Sequence, residues 1–271
     1  MLIAITIDID PVAFSLGPIA VRWYGLAYIL AIVVALWSIR GYAARRGFSG
    51  DRFDGLVVAC IAAGFIGGRL YYVVQDDPGG YLREPWRVFE VWRGGMAFFG
   101  AIFAVIITLA VVAYIRKWSI AALLDIAALF ALVGQPIGRL GNVANGDILG
   151  PPTDLPWGVI YAHPDSFAPS STTAYHPAMF YEIAANLVLL AILLPIRNRM
   201  APGLFVLAYL ALYATSQLIV FIWRSEPTVL FGLRQAQLTS IAVLLAVAAV
   251  LAIRAVRMRG RPPPGRVPGG T

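Results

Sequence analysis

Charge is scarce in this chain of 271 residues. Charged side chains make up 13% of it, about half the share of an ordinary soluble domain. Cysteine is scarcer still: Cys60 stands alone, which excludes an internal disulfide and a cysteine-based metal site. There are two histidines and one lysine, Lys117, so the remaining 20 basic residues are all arginine. What abounds is apolar: 60% of the residues are hydrophobic. A soluble fold of this length keeps too much surface to hide such a composition. A soluble enzyme, a disordered chain and a nucleic-acid-binding domain are therefore excluded, and a polytopic membrane protein remains. The net charge of +7 has to be read by position before any partner is inferred from it.

Seven apolar stretches are long enough to cross a hydrocarbon core of roughly 30 Å as helices. They lie near 19–39, 53–74, 95–115, 120–138, 177–196, 203–223 and 237–257. The first follows Asp8 and Asp10 rather than a basic segment, unlike a cleaved signal peptide. Basic residues alternate between the connections. Arg40, Arg45, Arg46 and Arg52 follow the first span, Arg116 and Lys117 the third, and Arg197 and Arg199 the fifth. Arg254, Arg257, Arg259, Arg261 and Arg266 occupy the tail, and together these regions hold 13 of the 21 basic residues. The opposite loops carry Asp76, Asp77, Glu84, Glu90, Asp147, Asp154, Asp165 and Glu226. The positive-inside rule then puts the N-terminus outside and the C-terminus in the cytoplasm. The basic surplus reads as topology with contact to anionic membrane lipids, and no nucleic-acid partner is expected.

The expected fold is all-α, about seven transmembrane helices around a lipid cavity facing the outer leaflet. The membrane domain is expected over 1–258, with an extracytoplasmic loop around 139–176. The segment 259–271, rich in Pro and Gly, is expected to be a disordered basic tail. Ionisable groups near span ends mark functional sites by default. Arg22, Arg69, Arg139, Glu182 and Arg224 all fall toward the outer face, while Asp125 falls near the inner end of the fourth span. Four arginines and one glutamate on one side imply a cavity for an anion, and a phospholipid headgroup is the anion available at that depth.

Each residue also has a plainer reading. Arg69 before Leu70-Tyr71-Tyr72 fits a snorkelling side chain in an aromatic belt. Arg22-Trp23-Tyr24-Gly25 fits an interfacial anchor, and Gly94-Gly95-Met96 with Gly100 fits close helix packing. His176-Pro177 fits a helix start, although a histidine can also move a proton near neutral pH. Arg139 is harder to dismiss. It lies in GQPIGRLGNVANGDILG (134–150), where five Gly, two Asn and a Pro suggest a break in the span. Such a break is tolerated at membrane depth only against protein or a cavity.

GRLGNVANGD followed by GPPTDLPWGVIY (138–161) resembles the bacterial phosphatidylglycerol–prolipoprotein diacylglyceryl transferases. RWYGL (22–26), GGRLYYV (67–73), WRGGMAFFG (92–100), HPAMFYE (176–182) and Arg224 in FIWRSEP are similar to further landmarks of that family, in the same order. The resemblance implies an enzyme of the bacterial inner membrane, with phosphatidylglycerol and prolipoprotein signal peptides as partners and no cofactor or metal. The reaction implied joins a diacylglyceryl group to the substrate's lipobox cysteine as a thioether and releases glycerol 1-phosphate. Arg139 and Arg224 would stabilise the phosphate, with His176 and Asp147 completing the catalytic group. Asn142, Asn145 and Gly150 would place the headgroup, and Tyr24, Arg22, Arg69, Glu182 and Gln237 would line the substrate site. Four positions depart from the family pattern. Phe99 stands where the family has a histidine, Asp147 where it has Glu, Met179 where it has Gln, and Ala236 where it has Gly. The first departure leaves His176, Asp147 or a water to take the thiol proton, or else a lipid-binding protein with impaired or altered chemistry. A transporter or receptor is the third reading, and no span pair shows the broken pattern of inverted repeats.

Overall fold

The computed structural model describes residues 4–17, 19–91 and 94–259. Seven helices among the described residues are long and apolar enough to cross a membrane, as the hydrophobic runs imply. They are α1 (Trp23–Arg45), α2 (Asp51–Gln75), α4 (Phe98–Arg116), α5 (Ile120–Asn145), α6 (Ala178–Ile196), α7 (Leu204–Val220) and α8 (Gln235–Arg259). A short helix, α3 (Pro78–Arg83), precedes a 3-10 turn at Pro85–Phe89. The all-α expectation holds, and the segment before α1 with the connections after α5 and α7 adds three two-stranded sheets among the described residues. Strands β1 (Ile5–Ile7) and β4 (Val159–Tyr161) pair in parallel, tying the N-terminal segment to the connection between α5 and α6. Strands β2 (Val12–Leu16) and β3 (Ile19–Arg22) form a hairpin that enters α1, and β5 (Thr228–Leu230) and β6 (Leu233–Arg234) form one between α7 and α8. Because the spans alternate in direction, all three sheets lie on one side of the bundle.

Helix α5 is the hub. Leu123, Ile126, Leu129 and Leu132 are buried along it. They pack with Ile39 and Tyr42 of α1, Leu56 of α2, Leu109 of α4, Leu193 of α6, and Phe205 and Tyr209 of α7. Between helices in lipid, close packing of small residues replaces the hydrophobic drive available in water. The glycines of α5 serve that purpose. Gly134 faces Ala31 and Ala35, Gly138 faces the Tyr28 ring, and a Cβ on Gly141 would come 2.9 Å from the Tyr24 Cα. On the other flank, Gly67 of α2 and Gly100 of α4 bring their backbones together in the same way.

This packing corrects one expectation. The chain does not leave the helix at 139: α5 continues to Asn145, where Gly146 ends it with a left-handed φ of 74°. The glycines that suggested a loop are contacts for α1, so Arg139, Asn142 and Asn145 stand on a helix. The connection to α6 therefore begins later than 139. Of the basic tail expected over 259–271, only Arg259 falls within the described residues, as the last residue of α8, and Trp92-Arg93 of the WRGGM motif also lies outside them.

At the opposite end of the bundle, Asp125 works as a staple. Fully buried, it pairs with Arg46 at 2.9 Å and accepts the backbone N–H groups of Gly203 and Val206, capping α7. Arg46 also donates to the Tyr42 hydroxyl and the Met200 carbonyl. Removing one member of a buried pair strands the other charge, at a cost of about 3–5 kcal/mol. Asp125→Ala should therefore lower the thermal midpoint in detergent by many degrees, and an unchanged midpoint would contradict the staple. Gly141→Val should cost about 1–3 kcal/mol through forced separation of α1 and α5, read from the same melting curves.

Candidate functional site

The last turns of α5 carry Arg139 and Asn142 three residues apart, hence on one face. Glu182 comes from the first turns of α6, and Arg224 follows a 3-10 turn at Phe221–Trp223 that ends α7. These four residues meet. Glu182 is 1% exposed, its Oε2 lying 2.6 Å from Arg139 Nη2 and its Oε1 accepting from Arg224 Nη1 at 2.8 Å. Arg139 Nη1 donates to Asn142 Oδ1 at 3.4 Å, and the Asn142 amide donates to both Asp147 oxygens, at 3.0 and 3.1 Å. The two arginines thus share the Glu182 carboxylate. Such an arrangement fixes two guanidinium groups side by side with a net positive charge on the three groups.

Two contributors were not singled out from the sequence. Glu226 closes the outer edge of Arg224, accepting from Nε at 2.9 Å and from Nη2 in a two-pronged grip. Its position two residues past Arg224 was the available signal. Tyr213 of α7 lies within reach of the charges of Arg139 and Glu182 inside the bundle, but a tyrosine in an apolar span gives no warning of its role. Burial lowers the pKa of Arg224, while Glu182 acts in the opposite direction. Guanidinium is nevertheless so strong a base that it keeps its proton.

The other expected site residues fall into separate groups. Tyr24 packs on Gly141, with its ring 4.7 Å from that of Tyr28, and is close enough to feel the charges of Asp147 and Arg139. Arg22 and Asn145 approach each other at 3.5 Å, and Arg22 lies 4.7 Å over the Phe167 ring. Gly150 donates its N–H to the His176 carbonyl, and a Cβ there would come 2.1 Å from the Trp223 carbonyl oxygen. Gly150 therefore lets the chain pass directly behind Arg224. The His176 Nδ1 lies 3.2 Å from the Tyr181 hydroxyl, which also accepts from the Trp157 indole at 3.0 Å. Since that hydroxyl is already accepting, its own hydrogen is free to point at Nδ1. Tyr161 braces the connection by donating to the Val143 carbonyl at 2.7 Å, and burial raises its pKa, keeping it a donor.

Arg69 and Gln237 are not brought into this network. The Arg69 guanidinium donates to the carbonyls of Arg87, Val88, Gly94 and Gly95, gathering the connection between α2 and α4. It lines a separate hollow of about 160 Å³ with Tyr72, Asp76, Tyr81, Arg87, Glu90 and Gly94. Gln237 accepts from the Arg234 N–H and donates to the Leu218 carbonyl, joining the start of α8 to α7. Phe99 is 41% exposed on the first turn of α4, touching Phe98 and Phe103. As for metals, the ligand atoms of Asp10, His163 and Asp165 gather within 4.8 Å of one another beyond β1 and β4, away from the arginine pair. A shallow hollow of about 530 Å³ lined by Thr153, Asp154, Thr172 and Thr173 opens in the same connection.

The sequence matches one known family along most of its length. The family profile described as prolipoprotein diacylglyceryl transferase matches residues 11–253. The chain is 38% identical over 229 residues to the phosphatidylglycerol–prolipoprotein diacylglyceryl transferase of Geobacter sulfurreducens, covering 83% of this chain and 85% of that protein. It is 36% identical over 211 residues to the enzyme of the same name from Cupriavidus metallidurans, covering 74% of this chain and 76% of that one. The Mannheimia succiniciproducens enzyme of that name is 32% identical over 246 residues, 89% of either chain. With seven candidate spans and a family match that runs through nearly all of its length, this chain belongs to the prolipoprotein diacylglyceryl transferase family.

Proposed function

We propose that this protein transfers the diacylglyceryl group of phosphatidylglycerol to the lipobox cysteine of prolipoproteins at the outer face of the bacterial inner membrane. The observation that carries the reading is the convergence of Arg139 and Arg224 on the single carboxylate of Glu182. Two guanidinium groups held side by side suit a phosphodiester, which takes charge-assisted hydrogen bonds from such groups. In the reaction the cysteine sulfur attacks the glycerol carbon and the C–O bond to phosphate breaks. Charge then builds on the departing phosphate. Preorganised Arg139 and Arg224 stabilise that charge without reorganising water, and a positive site also favours the thiolate.

The remaining residues serve these two. Asp147 holds the Asn142 amide, leaving Asn142 Oδ1 toward Arg139. Tyr24, Gly150 and His176 line the approach, and Arg22 with Asn145 flanks it. The orientation proposed is N-terminus outside and C-terminus cytoplasmic. Arg40, Arg45, Arg46, Arg116, Lys117, Arg197 and Arg199 support it, since they cluster at the end of the bundle opposite the three sheets. The acyl chains of the lipid would reach the site from the bilayer, through an outer-leaflet cavity beside the arginine pair.

A lipobox peptide incubated with the protein and phosphatidylglycerol vesicles should gain the mass of one diacylglyceryl group by mass spectrometry. Arg139→Gln should lower kcat/KM by about 10²–10³-fold, the effect of losing one preorganised donor. No mass gain with any anionic phospholipid would overturn the reading. The exposed phenyl ring of Phe99 favours one alternative, a lipid-binding member without turnover. Phosphatidylglycerol binding without transfer, with turnover gained only on Phe99→His, would support that alternative instead.

A further inference from the structure

The reaction proposed above needs an acceptor for the thiol proton, and the residues expected to supply one are already engaged. Glu182 is enclosed between Arg139 and Arg224 and is 1% exposed. Both oxygens of Asp147 accept from the Asn142 amide. Phe99 has no basic atom, and the Nδ1 of His176 faces the Tyr181 hydroxyl.

Glu226 differs from all of these. Its carboxylate grips Nε and Nη2 of Arg224, the edge left over once Nη1 has gone to Glu182. Its side chain is 39% exposed, whereas that of Arg224 is only 10% exposed, so Glu226 covers the guanidinium from the accessible side. Arg224 and Arg234 reach this segment, with Glu182, Arg139 and Asp147 near enough to act on Arg224, and Arg234 Nε donates to the backbone carbonyl of Glu226. The backbone is thereby anchored while the carboxylate has one partner to lose. A lipid phosphate seeking the same edge of Arg224 must displace that carboxylate. A carboxylate separated from its cation becomes a better base, and this one would be released beside the phosphate that displaced it.

We infer that Glu226 is the general base, masked by Arg224 until the lipid phosphate takes its place; the assignment rests on the transferase reading. The substrate S–H proton passes to a Glu226 oxygen while the sulfur electron pair forms the C–S bond. The C–O bond to phosphate breaks with its electron pair on the leaving oxygen, held by Arg139 and Arg224. The proton then passes from Glu226 to the departing phosphate or to water, and the carboxylate returns to Arg224.

The test uses the full-length protein in phosphatidylglycerol nanodiscs with two lipobox peptides, one with cysteine and one with selenocysteine, whose selenol ionises without help at neutral pH. Glu226→Gln should slow transfer to the cysteine peptide by about 10²-fold at pH 7, within the range for a lost general base. The deficit should narrow as pH rises and nearly vanish with the selenocysteine peptide, while the KM for phosphatidylglycerol stays level or falls. Glu226→Asp, which keeps a carboxylate, should retain intermediate activity and checks that the position tolerates change. Turnover of Glu226→Gln within threefold of the parent at every pH would overturn the assignment. So would an equal deficit with both peptides, which marks a role in geometry alone. Absence of transfer by the unaltered protein would remove the transferase reading, and the base with it, whereas the preceding outcomes remove the base alone.

Discussion

One buried carboxylate organises the functional end of this molecule. Glu182 sits between Arg139, on α5, and Arg224, just past the end of α7, which would repel each other without it. Two like charges this close within a low-dielectric bundle carry a Coulomb penalty that exposed surface charges escape. A carboxylate between them turns that repulsion into two attractions and still leaves the three groups with a surplus positive charge. A buried ion pair is weak evidence of stability for its own sake. Its value here lies in geometry, since it fixes two guanidinium groups beside each other.

The rest of the fold can be understood as the means of delivering those three side chains. Arg139 reaches Glu182 because α5 remains helical to Asn145, which in turn requires α1 to lie close along Gly134, Gly138 and Gly141. Arg224 is set by a tight turn at the end of α7, and Gly150 allows the chain after α5 to pass against that turn. At the far end of the bundle, Asp125 and Arg46 join α1, α5 and the start of α7 with a second buried pair. The two ionic centres thus bracket the same helices, one serving cohesion and the other holding charge in readiness.

Much of this was legible in the residues. Long apolar runs give the spans, because a helix is the only element that satisfies its own backbone groups in lipid. Arg139, Glu182 and Arg224 stood out because ionisable groups near span ends are expensive. What escaped is equally instructive. Glycine is ambiguous: at 134, 138 and 141 it suggested a loop, yet it serves helix contact, and composition does not separate these uses. Arg69 was grouped with Arg139 among the outer-face arginines, but its donors are spent on four carbonyls of a connection whose path only three-dimensional folding reveals. Glu226 was counted only as a loop acid, because its importance depends on which edge of Arg224 remains open.

The central claim is that Arg139 and Arg224 act on one phosphate as a unit. A double-mutant cycle with Arg139→Gln and Arg224→Gln, read as kcat/KM for transfer from phosphatidylglycerol, tests it most directly. Joint action predicts that the double variant is hardly worse than the more damaged single variant. Losses that simply multiply would mean that the two guanidinium groups act on separate targets, and the account built on their meeting at Glu182 would be wrong.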